Sequence, residues 1–292
     1  MKVYLELPVE DRALQRVRDA LVMYKPEGLE ITDSPSDSDL VILHITGRHD
    51  GIKAQIDLLN KYNKPYAMIQ YVLRSTKNPS TSDWLDMWQN ARLVWSYYYL
   101  PELCFEDKVH EQFPFYYAPL GVDTSVFYDR KSSKGHKAAV IATNSRGLLT
   151  ESAKECIQAG TSLDRKVFFL GEEVNIPGVF CKTNITDDEL AYYYSISEFV
   201  SGLRRIEGFE LPAAEGLMCG ARPIMFNKPH YRAWFENMAV YIEEGNREQV
   251  QTSLEKVFKK GSREVTEAEL QRAKQIFNWE TIIKGFWDRL LI

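Results

Sequence analysis

The chain has 292 residues, of which 45% are hydrophobic and 26% are charged. This composition is that of a globular protein, excludes a disordered or low-complexity chain, and gives enough length for one large domain or two of ordinary size. The formal net charge of -5 provides no general attraction to polyanions, so composition argues against a dedicated nucleic-acid-binding protein.

The cysteine pattern and the lack of long apolar runs in the sequence indicate a cytoplasmic protein. The cysteines are scattered, with no C-x-x-C pair and no Cys/His cluster at metal-ligand spacing. They are Cys104, Cys156, Cys181 and Cys219. We therefore expect reduced thiols and no metal site. The N-terminal sequence has no apolar signal region, and no apolar run approaches the about 18–20 residues that a membrane span needs.

Strand and helix patterns alternate through the first part of the chain. Residues 3–7 predict an apolar strand, and Leu14, Val17 and Leu21 then recur at helical spacing. Residues 39–46 form a continuous apolar run, which is typical of a strand buried on both faces in a parallel sheet. The further predicted elements are helices around 52–59 and 84–88 and strands at 65–72, 93–98 and 116–122.

A polar, turn-rich stretch at residues 121–137 is predicted as a linker between two domains. The strand–helix alternation restarts after it. The predicted strands are 139–142, 166–170, 179–182, 198–203, 222–226 and 239–242, and the last two predicted helices are 270–277 and 279–291. Alternation of this kind indicates two doubly wound α/β domains, at 1–122 and 123–278. Ligands of such sheets bind at the carboxyl ends of the strands.

Capping signals mark three helix starts in the second domain. Thr186 with Glu189, and Thr266 with Glu269, have the spacing of a capping box, in which each side chain accepts a hydrogen bond from the other residue's backbone N–H. Asn246 is predicted to cap a third helix. These signals fix where the helices begin.

The pattern that most clearly indicates a functional site lies at residues 201–224, SGLRRIEGFELPAAEGLMCGARPI. Glu207 lies on a glycine-containing turn, and Glu215 follows on a predicted short helix that ends at Cys219 and Gly220. Two such carboxylates can hold two parts of one polyhydroxylated ligand. The free backbone N–H groups at the start of the helix favour a phosphate. The stretch therefore predicts a site for a sugar and a phosphate.

The same stretch resembles a known family. EGFELPAAEG at 207–216 and CGARPI at 219–224 resemble the E-G-F-G-L-P-x-x-E-A and C-G-x-P-V-I signature of family 4 (group 1) glycosyltransferases. Three more segments resemble that family in order and at similar spacing, and a fourth fits the strand and glycine before its nucleotide pocket. They are LGVDTSVF at 120–127, VFFLG at 167–171, ITDDELAYYY at 185–194 and FNWE at 277–280.

The resemblance implies the GT-B fold, in which two Rossmann-like doubly wound parallel-sheet domains face a central cleft. It also implies that residues 279–292 pack back on the first domain. The implied activity is transfer of a sugar from a nucleoside-diphosphate sugar to an acceptor hydroxyl. We expect a UDP-sugar such as UDP-glucose, although the sequence specifies neither the sugar nor the nucleotide base. Configuration is retained, and neither a metal nor a further cofactor is needed.

The resemblance also implies a division of roles around the diphosphate sugar. Glu215 corresponds to the residue that holds the ribose hydroxyls, and Glu207 to the one that contacts the hydroxyls of the donor sugar. Backbone amides at the start of the helix would meet the sugar or the diphosphate. The remaining donor-binding candidates are Gly208, Phe209, Glu210, Leu211 and Gly171.

The cations of the site depart from the family pattern. Relatives carry an Arg and a Lys five residues apart after the first strand of the second domain, whereas residues 142–150, ATNSRGLLT, hold Arg146 alone. Arg204 and Arg205 stand directly before the turn, where relatives have small or aromatic residues. We therefore expect Arg146, with Arg204 or Arg205, to meet the diphosphate charge. Glu210 replaces a usual glycine and either touches the sugar or points to solvent.

Two histidines lie in or after the predicted strand at 39–46, in a region where many relatives have a His that touches the donor sugar. They are His44, inside the strand, and His49, beyond its end. Their spacing does not distinguish them, but a residue beyond a strand end is the better placed. We therefore predict His49 as the contact and keep His44 as the alternative.

Two other functions remain open from the sequence. A chain that kept the fold and lost the cationic clamp would bind nucleotides or sugars without turnover. A compact transferase of this kind could also act on a modified DNA base, as some virus-encoded enzymes do. The basic residues that would then face DNA are Arg12, Arg16, Arg18, Arg48 and Lys53. The acceptor, which could be a glycan, a small molecule or a modified nucleic acid, and the oligomeric state are not specified by the sequence.

Overall fold

The computed structural model describes residues 1–6, 12–45, 57, 59–71, 87–98, 114–130, 139–142, 152–171, 173–205 and 208–292. The chain divides into two compact units. Unit 1 comprises Met1–Gly121, Ile206–Phe209 and Asn278–Ile292, and unit 2 comprises Val122–Arg205 and Glu210–Phe277. Both units are layered α/β structures, which confirms the predicted fold class.

Unit 1 contains a parallel sheet. Its strands are β1 (Lys2–Leu5), β2 (Glu30–Thr32), β3 (Leu40–Ile45), β4 (Tyr66–Gln70), β5 (Val94–Ser96) and β6 (Phe115–Tyr117). Their spatial order among the described residues is β2–β1–β3–β4–β5–β6, and every neighbouring pair is parallel. Five of them overlap predicted strands. The sequence pattern missed β2, because three partly buried residues give no periodicity.

Unit 2 contains a second parallel sheet. Its strands are β7 (Ala139–Ala142), β8 (Lys166–Phe169), β9 (Val179–Cys181), β10 (Ser197–Gly202), β11 (Arg222–Phe226) and β12 (Val240–Ile242). Their order is β12–β11–β10–β7–β8–β9 within the described part of the chain. Because the strands are parallel, the segments that follow β10, β7 and β8 all leave the same edge of the sheet.

The helices cover the two sheets. They are α1 (Arg12–Met23), α2 (Ala153–Thr161), α3 (Asp187–Ser195), α4 (Leu211–Met218), α5 (Pro229–Phe235), α6 (Arg247–Lys260), α7 (Glu267–Ile276) and α8 (Trp279–Leu290). In unit 1, α8 packs beside α1, where the Trp287 indole N–H donates to the Leu21 carbonyl at 3.3 Å. Across the described residues, no helix combines the length and the apolar character that crossing a membrane requires.

Strand β3 lies in the middle of the unit 1 core. All six of its residues are buried, as the continuous apolar run predicted. Val41, Leu43 and Ile45 pack with Met68 and Trp88 in one apolar cluster. The core of unit 1 therefore follows directly from the β-sheet pattern of the sequence.

The predicted caps of unit 2 are confirmed. The Thr186 hydroxyl accepts from the Glu189 backbone N–H at 3.2 Å, and the Glu189 carboxylate accepts from the Thr186 N–H at 2.9 Å. Thr266 and Glu269 form the same reciprocal pair. Asn246 caps α6 in a capping box with Gln249. Each box satisfies backbone N–H groups that a helix start leaves without an intrahelical partner.

Candidate functional site

The candidate site lies at the carboxyl end of β10 and the start of α4, both of which belong to unit 2. Strand β10 ends at Gly202, and α4 begins after Glu210 with Pro212 in its first turn. A Cβ on Gly202 would lie 3.0 Å from the Ala213 Cβ and 3.5 Å from the Glu210 Cβ. The strand end and the helix start therefore pack closely, and a side chain at position 202 would fit only if Ala213 shifted by a few tenths of an ångström. This packing holds the N-terminus of α4 at the carboxyl edge of the sheet, where ligands bind.

Glu215 lies in α4 with only 2% of its surface exposed. The two carboxylate oxygens can also accept hydrogen bonds from a pair of ligand hydroxyls. Glu215 follows the start of the helix by about one turn, so a ligand that it holds can also meet the first backbone N–H groups. Its predicted companion Glu207 lies outside the described residues.

Gly216 lets α4 approach β10. A Cβ at this position would lie 2.5 Å from Val200 Cγ1 and 2.9 Å from Val200 Cβ. We expect Gly216→Ala to lower the free energy of unfolding by about 1–3 kcal/mol, because overpacking outweighs the gain in helix propensity. Chemical denaturation checks this value. The double variant Gly216→Ala with Val200→Ala should lose less stability than the sum of the losses of the two single variants. Additive losses would contradict the close contact.

Glu210 does not point to solvent. It is 1% exposed, and its carboxylate lies 3.4 Å from the Arg204 Nε, while the Tyr231 hydroxyl donates to it at 3.3 Å. The same hydroxyl is 3.1 Å from the Arg204 carbonyl. Although Glu210 stands at the cap position of α4, its side chain makes no cap hydrogen bond. The residue therefore holds Arg204 and the start of α4 together.

Arg205 also forms an ion pair, with the carboxylate of Glu244. Its guanidinium donates to the Glu244 carboxylate at 2.9 Å and to the Gly245 carbonyl at 2.8 Å. Lys228 bonds the same carboxylate at 3.0 Å and donates to the Arg205 carbonyl. Burial alone would raise the pKa of Glu244, but hydrogen bonds from Lys228 and Arg205 outweigh it and lower the pKa. Glu244 is thus ionised and offsets part of this positive charge.

Gly208 and Phe209, which were predicted to meet the donor, lie among aromatic residues of unit 1. The Gly208 N–H donates to the Tyr71 carbonyl at 3.3 Å. A Cβ on Gly208 would lie 2.4 Å from the Tyr98 ring, so no larger residue fits there. The rings of Phe209 and Tyr97 are 6.0 Å apart. In this structure the amide of Gly208 is therefore bonded within the protein.

Four predicted site residues remain, of which two lie within the described part of the chain. Leu211 is the first residue of α4, and Gly171 follows β8 at the same edge of the sheet as the turn after β10. Arg146 and His49 lie outside the described residues. Strand β7, the neighbour of β10, ends four positions before Arg146 in sequence, with Ile141 paired to Val200.

His44, the alternative to His49, is completely buried in β3. Its Nδ1 and the Tyr71 hydroxyl are hydrogen-bonded at 2.8 Å, and the two rings are stacked. Burial, with a smaller contribution from the charge of Arg18, lowers the pKa of His44 to about 3. The imidazole is therefore neutral at physiological pH.

No sequence motif indicated the partners of Arg204 and Arg205. Helix α5, which supplies Tyr231, was not predicted, although Pro229 at its start is a usual signal for a first helical position. Glu244 follows the short strand β12 and carries no recognisable motif. These contacts bring together residues that are distant in sequence, and local patterns do not report them.

The whole chain was also compared with known proteins. No protein-family model and no curated protein matches it. It is similar to sucrose-phosphate synthase from Thermosynechococcus elongatus, with a TM-score of 0.75 at 13% identity over 99% of this chain and 98% of that chain. HepE from Anabaena in complex with UDP-glucose gives a TM-score of 0.70 at 13% identity over 99% of both chains.

A third similar structure is a glycosyltransferase from Rickettsia africae ESF-5, with a TM-score of 0.66 at 14% identity, covering 99% of this chain and 98% of that chain. At such low identities, the structural similarity shows a shared fold. It agrees with the two parallel sheets and with the resemblance in residues 120–280. The chain therefore has the GT-B fold of these glycosyltransferases.

Proposed function

We propose that this chain is a retaining glycosyltransferase that moves a sugar from a nucleoside-diphosphate sugar to an acceptor hydroxyl. The observation that carries the proposal is the buried Glu215 on a helix that starts at the carboxyl edge of a GT-B-type parallel sheet. A carboxylate in that place is suited to the two ribose hydroxyls. The motif around it agrees in order and spacing with the family signature.

UDP-glucose is the donor that we propose. Support comes from HepE, whose solved structure contains UDP-glucose. In this proposal Glu215 binds the ribose, Glu207 binds the hydroxyls of the transferred sugar, and the free N–H groups at the start of α4 face the diphosphate. The positive end of the helix dipole then lies where negative charge grows as the sugar leaves.

Arg146 is the main cation in the proposed diphosphate site. Arg204 and Arg205 already face Glu210 and Glu244, so each brings less net positive charge to a ligand. We propose that these two arginines chiefly shape the turn. Removal of charge at all three arginines should lower the affinity for UDP-glucose, with Arg146→Gln producing the largest single loss.

The reaction needs no protein base in this proposal. A phosphate oxygen of the leaving diphosphate takes the proton of the acceptor hydroxyl, while that hydroxyl attacks the anomeric carbon on the face that the diphosphate leaves. The family resemblance supports a reaction without a metal ion. The protein then acts by positioning the two substrates and by stabilising the departing charge.

A cytoplasmic location is part of the proposal. Cys156, Cys181 and Cys219 are free thiols. Burial raises the pKa of Cys156 and that of Cys219 to about 12, so both remain protonated and unreactive. Buried reduced thiols suit a reducing compartment.

Release of UDP from UDP-glucose by the purified chain, with water or a panel of acceptors, tests the function. We expect turnover and a product that keeps the anomeric configuration of the donor. Tight UDP binding without turnover would instead favour a nucleotide-binding protein. Salt-sensitive binding to DNA would redirect the acceptor search to modified bases.

A further inference from the structure

A small pocket in unit 1 lies beside the carboxyl ends of two strands. Its volume is about 220 Å³. It is lined by Tyr4, Leu5, Arg18, Ile31, Thr32 and Asp33. Tyr4 is paired in register with Thr32, the last residue of β2. Ligands of open parallel sheets lie outside strand carboxyl ends, so the pocket occupies a position suited to binding.

Arg18 is the cation of this pocket. The side chain projects from α1 and is half-buried, and its Nε is shielded from solvent without a hydrogen-bond partner. Within the described part of the chain, this Nε therefore has no acceptor. Native proteins pair nearly all buried donors, so a guanidinium in this state indicates a ligand or solvent that completes it.

Two carboxylates lie near Arg18, because Asp33 lines the same pocket and Glu6 is hydrogen-bonded to Tyr4. Burial, reinforced by Glu6, raises the pKa of Tyr4 to about 12, so the phenol is neutral. His44 is neutral as well. Asp33 is an exposed carboxylate at the rim, with no ion pair to Arg18 among the described residues. The cavity therefore combines one half-buried positive centre with hydrogen-bonding groups.

Two further groups can bind hydroxyls. The Thr32 hydroxyl oxygen accepts a hydrogen bond from the Ser34 N–H at 3.3 Å, which leaves its own proton to donate. The Asp33 carboxylate is an acceptor for ligand O–H groups. A neutral apolar ligand would leave both unsatisfied, whereas a hydroxylated anion matches all three side chains.

We propose that the Arg18 pocket binds the anionic group, a carboxylate or a phosphate, of a small hydroxylated molecule. The planar guanidinium can hold either group through two parallel hydrogen bonds. If the chain transfers sugars as proposed, this molecule is the acceptor. That identification rests on the proposed function, whereas the binding site itself does not.

Calorimetric titration of the full chain tests the site with glycerol 3-phosphate and glucuronate as probes, and with glycerol and glucose as neutral controls. We expect saturable binding of at least one anionic probe, and its identity separates phosphate from carboxylate. Arg18→Gln should weaken this binding about tenfold or more, and Arg18→Lys should keep part of it. Lys25→Gln removes an exposed charge outside the pocket and should change little.

Titration with UDP on the same samples separates this proposal from the proposed function, and far-UV circular dichroism checks that each variant is folded. Anion binding that requires Arg18 in a chain that does not bind UDP would support the pocket and contradict sugar transfer. The pocket proposal is overturned if neither anionic probe binds, or if Arg18→Gln binds the probes as the unaltered chain does.

Discussion

Glu215→Gln is expected to weaken UDP binding by roughly 10- to 100-fold while the chain remains folded. The carboxylate is 2% exposed and lies in the helix that follows β10. Ionised, it accepts charge-assisted hydrogen bonds from two ribose hydroxyls. A glutamine amide has nearly the same shape, but its NH₂ group cannot accept, so one bond is lost and the other is weakened.

Calorimetric titration of UDP measures this effect, and far-UV circular dichroism checks the fold. Glu248→Gln is the matched control, because Glu248 is an exposed glutamate of the same unit, at the start of α6. Its affinity for UDP should equal that of the unaltered chain. If Glu215→Gln binds UDP as tightly as Glu248→Gln does, Glu215 does not hold the nucleotide.

Glu269→Gln is expected to lower the free energy of unfolding by about 3–5 kcal/mol, because it leaves a buried guanidinium without its counterion. Arg222 is 2% exposed, and it donates to the two carboxylate oxygens of Glu269 at 2.7 and 3.1 Å. Arg263 bonds the same carboxylate from the surface. This pair ties β11 to the start of α7.

The pH dependence of stability gives the same pair a second test. Burial alone would raise the pKa of Glu269, but hydrogen bonds from Arg222 and from the Thr266 backbone outweigh it and lower the pKa to about 2. The stabilisation is therefore complete above the ordinary pKa of 4.5 and is lost as the pH falls towards 2. In Glu269→Gln this part of the acid destabilisation should disappear.

Urea denaturation at pH 7 and at pH 3 measures both effects. Glu267→Gln, an exposed change in the same helix turn, is the control and should alter stability by less than about 1 kcal/mol. Equal stabilities of the two variants at pH 7 would contradict a buried ion pair that holds β11 and α7 together.

Much of the fold could be predicted because its signals are local. A continuous apolar run defines β3, and reciprocal Thr–Glu side chains define the starts of α3 and α7. The position of Glu215 on a helix after a strand followed from the same kind of pattern. Periodicity and capping depend on residues close in sequence, so a single chain reveals them.

The surroundings of the site could not be predicted, because they depend on packing between distant segments. Arg204 and Arg205 were expected to face a diphosphate, yet each has an acidic neighbour in the structure, Glu210 and Glu244 respectively. The sequence allowed Glu210 either to touch the sugar or to point to solvent, and the structure excludes the second, since Glu210 is buried beside Tyr231. A charged side chain that becomes buried needs a partner for its charge. The sequence shows that need but does not show which residue the fold brings to it.

The position of the donor on the β10–α4 turn is the central claim, and hydrogen–deuterium exchange of the full chain with and without UDP tests it most directly. The account predicts slower exchange in peptides that cover residues 203–218, where the nucleotide would contact Glu215 and the first N–H groups of α4. Saturating UDP that leaves exchange in 203–218 unchanged, while protecting another part of the chain, would contradict it.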